Sequence, residues 1–149
     1  MNGTQGIIVQ GHRVASGLNG NPDFPGGTIR MQIPYFKSLG LDLSTFYPGT
    51  LNIDLSPRVF QPIAPAHSFP RLKWHPVDSA EDFHFFHVAL QMGNRVFDGW
   101  LYYPAPETKP KHEQSPYVVE LLMPELPGVS YGDSVELSVP AAEGRFVGA

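Results

Sequence analysis

The sequence predicts an all-β fold: one small domain of about six short strands forming a barrel or sandwich, with room only for short helical turns. Three observations carry this expectation. Glycine (15) and proline (16) make up about a fifth of the 149 residues, too frequent a set of breakers for long helices yet below the roughly 25–30% of disordered chains. The apolar runs are short, and several alternate with polar residues at the two-residue period of a strand. Clusters of turn formers separate them.

In chain order, residues 1–6 are polar and are expected to be a tail before a barrel spanning residues 7–140. Ile7, Ile8 and Val9 open a β-branched run to Ala15 that reads as a first strand. Residues 16–27 follow as a long segment of turn formers, including Gly17, Leu18, Asn19, Gly20 and Asn21. Loops of this length are uncommon in compact domains unless functional, and glycines let backbone N–H groups approach a ligand closely. Residues 28–33 alternate enough for a strand, and residues 34–40 hold one short helical turn.

A Pro48-Gly49 turn then leads into Thr50-Leu51-Asn52-Ile53-Asp54-Leu55. In an extended chain Thr50, Asn52 and Asp54 form a row of oxygen donors on one face, with the three apolar side chains on the other. Prolines 57, 62, 65, 70 and 76 make residues 57–76 an extended surface segment, because proline cannot serve a central ladder. Residues 84–91 and 95–103 are apolar runs joined at Met92-Gly93-Asn94, the clearest hairpin in the chain. A polar, proline-spaced loop over 104–116 precedes a strand at 117–123, where Glu120 stands among Val118, Val119, Leu121 and Leu122. Tyr131-Gly132-Asp133 turns into a closing strand at 134–139, and residues 141–149 are expected to be a flexible tail.

Composition narrows the function classes. The chain has no cysteine, which removes disulfides, thiolate metal sites and cysteine nucleophiles. Its net charge is −4 and its Lys and Arg are scattered, so it lacks the basic footprint that nucleic acid demands. No run approaches the roughly 20 apolar residues of a membrane span. A cytoplasmic protein with small-molecule partners, and neither nucleic acid nor membrane, is the expectation.

Thr50 and Asn52 offer neutral oxygen ligands, which suit Mg2+ when substrate phosphates bring the negative charge; spacing alone favours an ordinary solvated strand face over a metal site. Asp54 joins them or is simply solvated. Glu120 interrupts an apolar strand and must be paired, hydrogen-bonded or at an edge. It reads either as a general base or hydroxyl ligand, or as an edge charge that discourages aggregation. His84 and His87 are three apart, so a regular strand sends them to opposite faces. No His pair has the spacing of a known metal site, and no Gly-x-Ser-x-Gly elbow, Walker loop or Gly-x-Gly-x-x-Gly fingerprint occurs.

Four pieces in order resemble the CTP-dependent riboflavin kinase family of archaea. Arg13-Val14-Ala15-Ser16-Gly17-Leu18-Asn19-Gly20 is similar to its first strand and glycine-rich loop, and Tyr47-Pro48-Gly49-Thr50-Leu51-Asn52 to its Pro-Gly-Thr-Leu-Asn motif. Phe97-Asp98-Gly99 matches a hairpin strand. Val119 to Pro124, followed by Gly132 to Leu137, resembles its C-terminal strands. The resemblance covers about residues 7–139 and implies a cradle-loop β-barrel that transfers the γ-phosphate of CTP to riboflavin, giving FMN. It implies that Thr50 and Asn52 hold Mg2+, that Gly17, Leu18, Asn19, Gly20 and Asn21 embrace the nucleotide, and that Glu120 and Thr108 contact the flavin. Glu120 is also our candidate acceptor for the attacking hydroxyl's proton. Asp54 stands where the family tends to carry lysine. The alternative is a non-catalytic barrel of the same fold that binds a flavin, a nucleotide or another small ligand.

Overall fold

A computed structural model describes residues 2–9, 28–38, 40–42, 50–72, 81–104, 116–124, 126 and 129–148. Its elements are β1 (Asn2–Val9), α1 (Thr28–Ser38), β2 (Leu51–Asp54), β3 (Val59–Pro62), β4 (His67–Leu72), β5 (Glu81–Met92), β6 (Arg95–Pro104), β7 (Val118–Leu122), β8 (Ser134–Val139) and β9 (Gly144–Val147).

Alternation along the strands builds a closed barrel. Six antiparallel strands follow one another in the order β5-β6-β7-β2-β1-β8, and β8 pairs back onto β5. Closure pairs strands that an open sheet would leave as edges. The inward residues of successive strands fill the interior: Ile8 from β1, Ile53 from β2, Phe86, Val88 and Leu90 from β5, Leu101 from β6, Val119 and Leu121 from β7, Val135, Leu137 and Val139 from β8. The barrel is therefore a packed core.

Two chemistries fix the register locally. The hairpin turn between β5 and β6 is Gly93-Asn94, with Met92 opposite Arg95. Gly93 sits at φ +61°, the left-handed region that a two-residue hairpin turn uses and that glycine adopts without a Cβ penalty. Gly99 on β6 answers a close approach instead, since an added Cβ would collide with the Leu122 carbonyl and the Met123 sulfur.

β5 serves two neighbours along one edge. Phe83, His84 and Phe85 pair with β4, whereas Ala89, Leu90 and Gln91 pair with β8. Outward-facing Phe83 and Phe85 then join Phe36, Leu41, Tyr102 and Leu122 in a second apolar cluster outside the barrel. Phe36 packs edge-on against Phe83 (5.3 Å between centroids) and Phe85 (5.0 Å).

Three expectations are corrected. Of the tail expected over residues 1–6, residues 2–6 lie instead in β1, which pairs with β8 from Asn2 onward. Residues 28–33 are not a strand but belong to α1, which continues through Pro34. The helix survives this break because Phe36 is fully buried. It ends where Leu41 N–H donates to the Phe36 carbonyl (2.9 Å) and Gly40 N–H to the Lys37 carbonyl (3.1 Å), with Gly40 at φ +104°. That is a Schellman stop, sealed by contact between Leu41 and Phe36 in the outer cluster. Of the tail expected over residues 141–149, Gly144–Val147 form β9, which pairs with β3, and Phe146 lies 5.7 Å from Phe60 between ring centroids. Within 57–76, β3 and β4 form strands at the periphery, and the β4 register shifts between Phe69 and Leu72, around Pro70.

Candidate functional site

β2 and β7 lie side by side, and their register sets the candidate site. Ile53 opposite Val119 and Leu51 opposite Leu121 point into the barrel, so Asn52 opposite Glu120 points out. The adjoining strands extend this outer row, with Val9 opposite Asn52 on β1 and Tyr102 opposite Glu120 on β6. Thr50, just ahead of β2, and the single acid of β7 thus meet at one point on the outer wall.

Thr50 closes the group. Its hydroxyl donates to Glu120 Oε1 at 3.1 Å, although the two residues are 70 positions apart. A hydroxyl that gives its proton to a carboxylate keeps its lone pairs for another partner. Among the described residues, the buried Asn52 side-chain oxygen has no hydrogen-bond donor. An acceptor left so costs about 1–3 kcal/mol unless a donor or cation meets it. Two neutral oxygens beside one carboxylate, one of them buried and unsatisfied, form a set that fits a hard, oxygen-preferring cation such as Mg2+.

Asp54, the third member of the expected row, does something else. Its Oδ1 accepts the Ser56 backbone N–H (2.9 Å) and the Ser56 hydroxyl (2.6 Å). These bonds, the hydroxyl's first and the backbone's second, hold the Asp54 carboxyl below its ordinary value of 3.8, against a smaller opposing effect of burial. Asp54 therefore caps the turn that ends β2 and does not join Thr50 and Asn52. The spacing of Asp54 and Ser56, an acid two residues before a free N–H, is an Asx-turn pattern legible in the sequence.

The histidines follow the alternation expected of them. Ser68 Oγ lies 2.9 Å from His84 Nδ1, while His87 Nδ1 lies 2.7 Å from Glu143 Oε2. Gly17, Leu18, Asn19, Gly20, Asn21 and Thr108 lie outside the described residues. Tyr102 was missed by sequence reasoning; only the β6–β7 register, which no local pattern encodes, brings it beside Glu120.

No protein-family model matches the chain, and no relative is found among curated proteins. Among the described residues, no helix is long and apolar enough to cross a membrane.

Proposed function

We propose that the chain is a riboflavin kinase-like phosphotransferase, which moves the γ-phosphate of CTP, or of another nucleotide, to riboflavin and releases FMN with Mg2+ as cofactor. The observation that carries this reading is the convergence of Thr50, Asn52 and Glu120, with the Asn52 oxygen buried and unsatisfied. The family resemblance supplies the substrate identities.

On this reading Thr50 and Asn52 hold the cation. Bound Mg2+ supplies charge neutralisation for the nucleotide phosphates. Glu120, oriented by the Thr50 hydroxyl, accepts a hydrogen bond from the ribityl 5′-hydroxyl and takes its proton as the oxygen attacks the γ-phosphorus. A new O–P bond forms, the bond to the β-phosphate oxygen breaks, and the nucleoside diphosphate leaves. Such transfer rests mainly on positioning and charge stabilisation, which a small barrel can provide.

A second reading is a barrel that binds a flavin or nucleotide without turnover. It is favoured by Asp54, whose carboxylate is committed to Ser56 where the resemblance places a lysine.

Calorimetric titration with CTP, ATP and riboflavin in Mg2+, followed by an assay for FMN, separates these. FMN production that Asn52→Ala abolishes, with the fold intact by circular dichroism, supports the kinase. Ligand binding without FMN supports the second reading, and absence of binding by all three ligands sinks both.

A further inference from the structure

The β1–β2 ladder stops early. Ile7 pairs with Asp54, but Gln5 and Gly3, the next positions with the same orientation, have no strand partner on that side. Ile8 fixes this orientation: its N–H donates to the Asp133 carbonyl (2.9 Å) and its carbonyl accepts from Gly132 (2.7 Å), both on the β8 side. Backbone groups alternate along a strand, so those of Gly3, Gln5 and Ile7 face the β2 side.

The reason for the stop is local. A regular ladder would bring Ser56 to Gln5, yet the Ser56 N–H is taken by Asp54 Oδ1. Leu55 N–H turns to the Tyr117 carbonyl (2.7 Å), and Arg58 N–H closes back on the Leu55 carbonyl (2.9 Å). The chain after β2 therefore peels away from β1. A groove of about 390 Å³ opens between them, lined by Gly3, Gln5, Ser56, Arg58 and Glu136 among others.

What the groove displays is specific. Among the described residues, the Gln5 carbonyl receives only the Thr4 hydroxyl at a long 3.4 Å. Glu136 reaches over the strand from β8, with Oε1 3.9 Å from where a Cβ on Gly3 would stand. Neither the Glu136 carboxylate nor the Arg58 guanidinium has an ion pair or hydrogen bond among the described residues.

We propose that this groove binds an extended peptide, added as a strand along Gly3 and Gln5 of β1. Among the described residues the N–H groups of Gly3 and Gln5 and the Gly3 carbonyl have no partner on that side, and the Gln5 carbonyl has only the long Thr4 contact; these groups supply the pairing, which is how peptides augment an exposed sheet edge. Side chains two apart on such a peptide share a face. A basic side chain beside Glu136 and an acidic one towards Arg58 complement the two unpaired charges.

The test uses a blocked peptide of sequence Val-Lys-Thr-Glu-Val, and the same peptide N-methylated at alternate amides. Hydrogen exchange of the Gly3 and Gln5 amides, followed by NMR on the full chain, should slow at least about tenfold with the first peptide and be unaffected by the second. Glu136→Gln should weaken binding of the lysine peptide. Asp54→Ala, which frees Ser56 to pair with Gln5, should close the groove and protect Gln5 without peptide. Unchanged exchange, or equal binding of the N-methylated peptide, overturns strand addition. Protection that grows with protein concentration alone assigns the edge to a second copy and likewise overturns the proposal.

Discussion

The Glu143 carboxylate caps the backbone N–H of His87 at 2.7 Å, and its other oxygen lies 2.7 Å from the His87 ring nitrogen Nδ1. His87 stands where β5 has left β4 and has not yet reached β8. Glu143 therefore fills the gap in the ladder that sharing one edge between two neighbours creates. Its own carbonyl accepts Ile63 N–H (2.8 Å) and Ala64 N–H (3.0 Å), tying the connection between β3 and β4 to the same point.

Glu143→Ala should accordingly destabilise the fold by about 0.5–1.5 kcal/mol, the net worth of an ordinary hydrogen bond, because the exposed His87 N–H loses its acceptor to water. Glu143→Gln keeps an oxygen acceptor and should cost less than half as much. Urea denaturation of the two variants and the parent checks this order; equal stability of all three would refute the capping role.

Asp54 gives a pH dependence of known sign. Its folded carboxyl lies below the ordinary 3.8 because Ser56 bonds its ionised form. The stabilisation is thus fully present above about pH 5, starts to fade near 3.8 and is lost as pH falls through the lower, folded value. Asp54→Asn should show a constant stability deficit from pH 5 to 7 that shrinks below pH 4, read from denaturation midpoints. A deficit that grows on acidification would refute this assignment.

Gly99→Ala tests the close approach of β6 to β7. The added methyl would meet the Leu122 backbone carbonyl, which cannot move without disturbing β7. The expected loss is about 1–3 kcal/mol or more, the range of overpacked cores, measured as a lowered unfolding midpoint. A neutral substitution would mean that the two strands separate freely.

Much of the barrel was legible because local chemistry and tertiary demand agree. The alternation of Leu51, Ile53 and Leu55, the Gly93-Asn94 turn and the 134–139 run each specify a strand in its place. The missed elements are those where they disagree. Gly3, Thr4 and Gly6 read as tail residues, but Thr4 and Gly6 face a crowded interior that favours small side chains: a Cβ on Gly6 would strike Ile53. Pro34 argues against a helix, which the burial of Phe36 nonetheless holds. β9 is four residues long and gains its order from packing on Phe60 across the chain. For the site, the sequence named Thr50, Asn52 and Glu120 separately. That Thr50 bonds Glu120 depends on the β2–β7 register, a relation over 70 residues that no window of sequence contains.

β5 has one more consequence for how the molecule comes apart. Its even-numbered Phe86, Val88 and Leu90 anchor the interior, while its odd-numbered Phe83 and Phe85 anchor the outer cluster with Tyr102 and Leu122. A single strand is thus the shared wall of two hydrophobic compartments, and neither can melt without loosening the other. Tyr102 neighbours Glu120, so the candidate site rests against this wall. Loosening of the outer compartment is thereby transmitted to the candidate site through Tyr102.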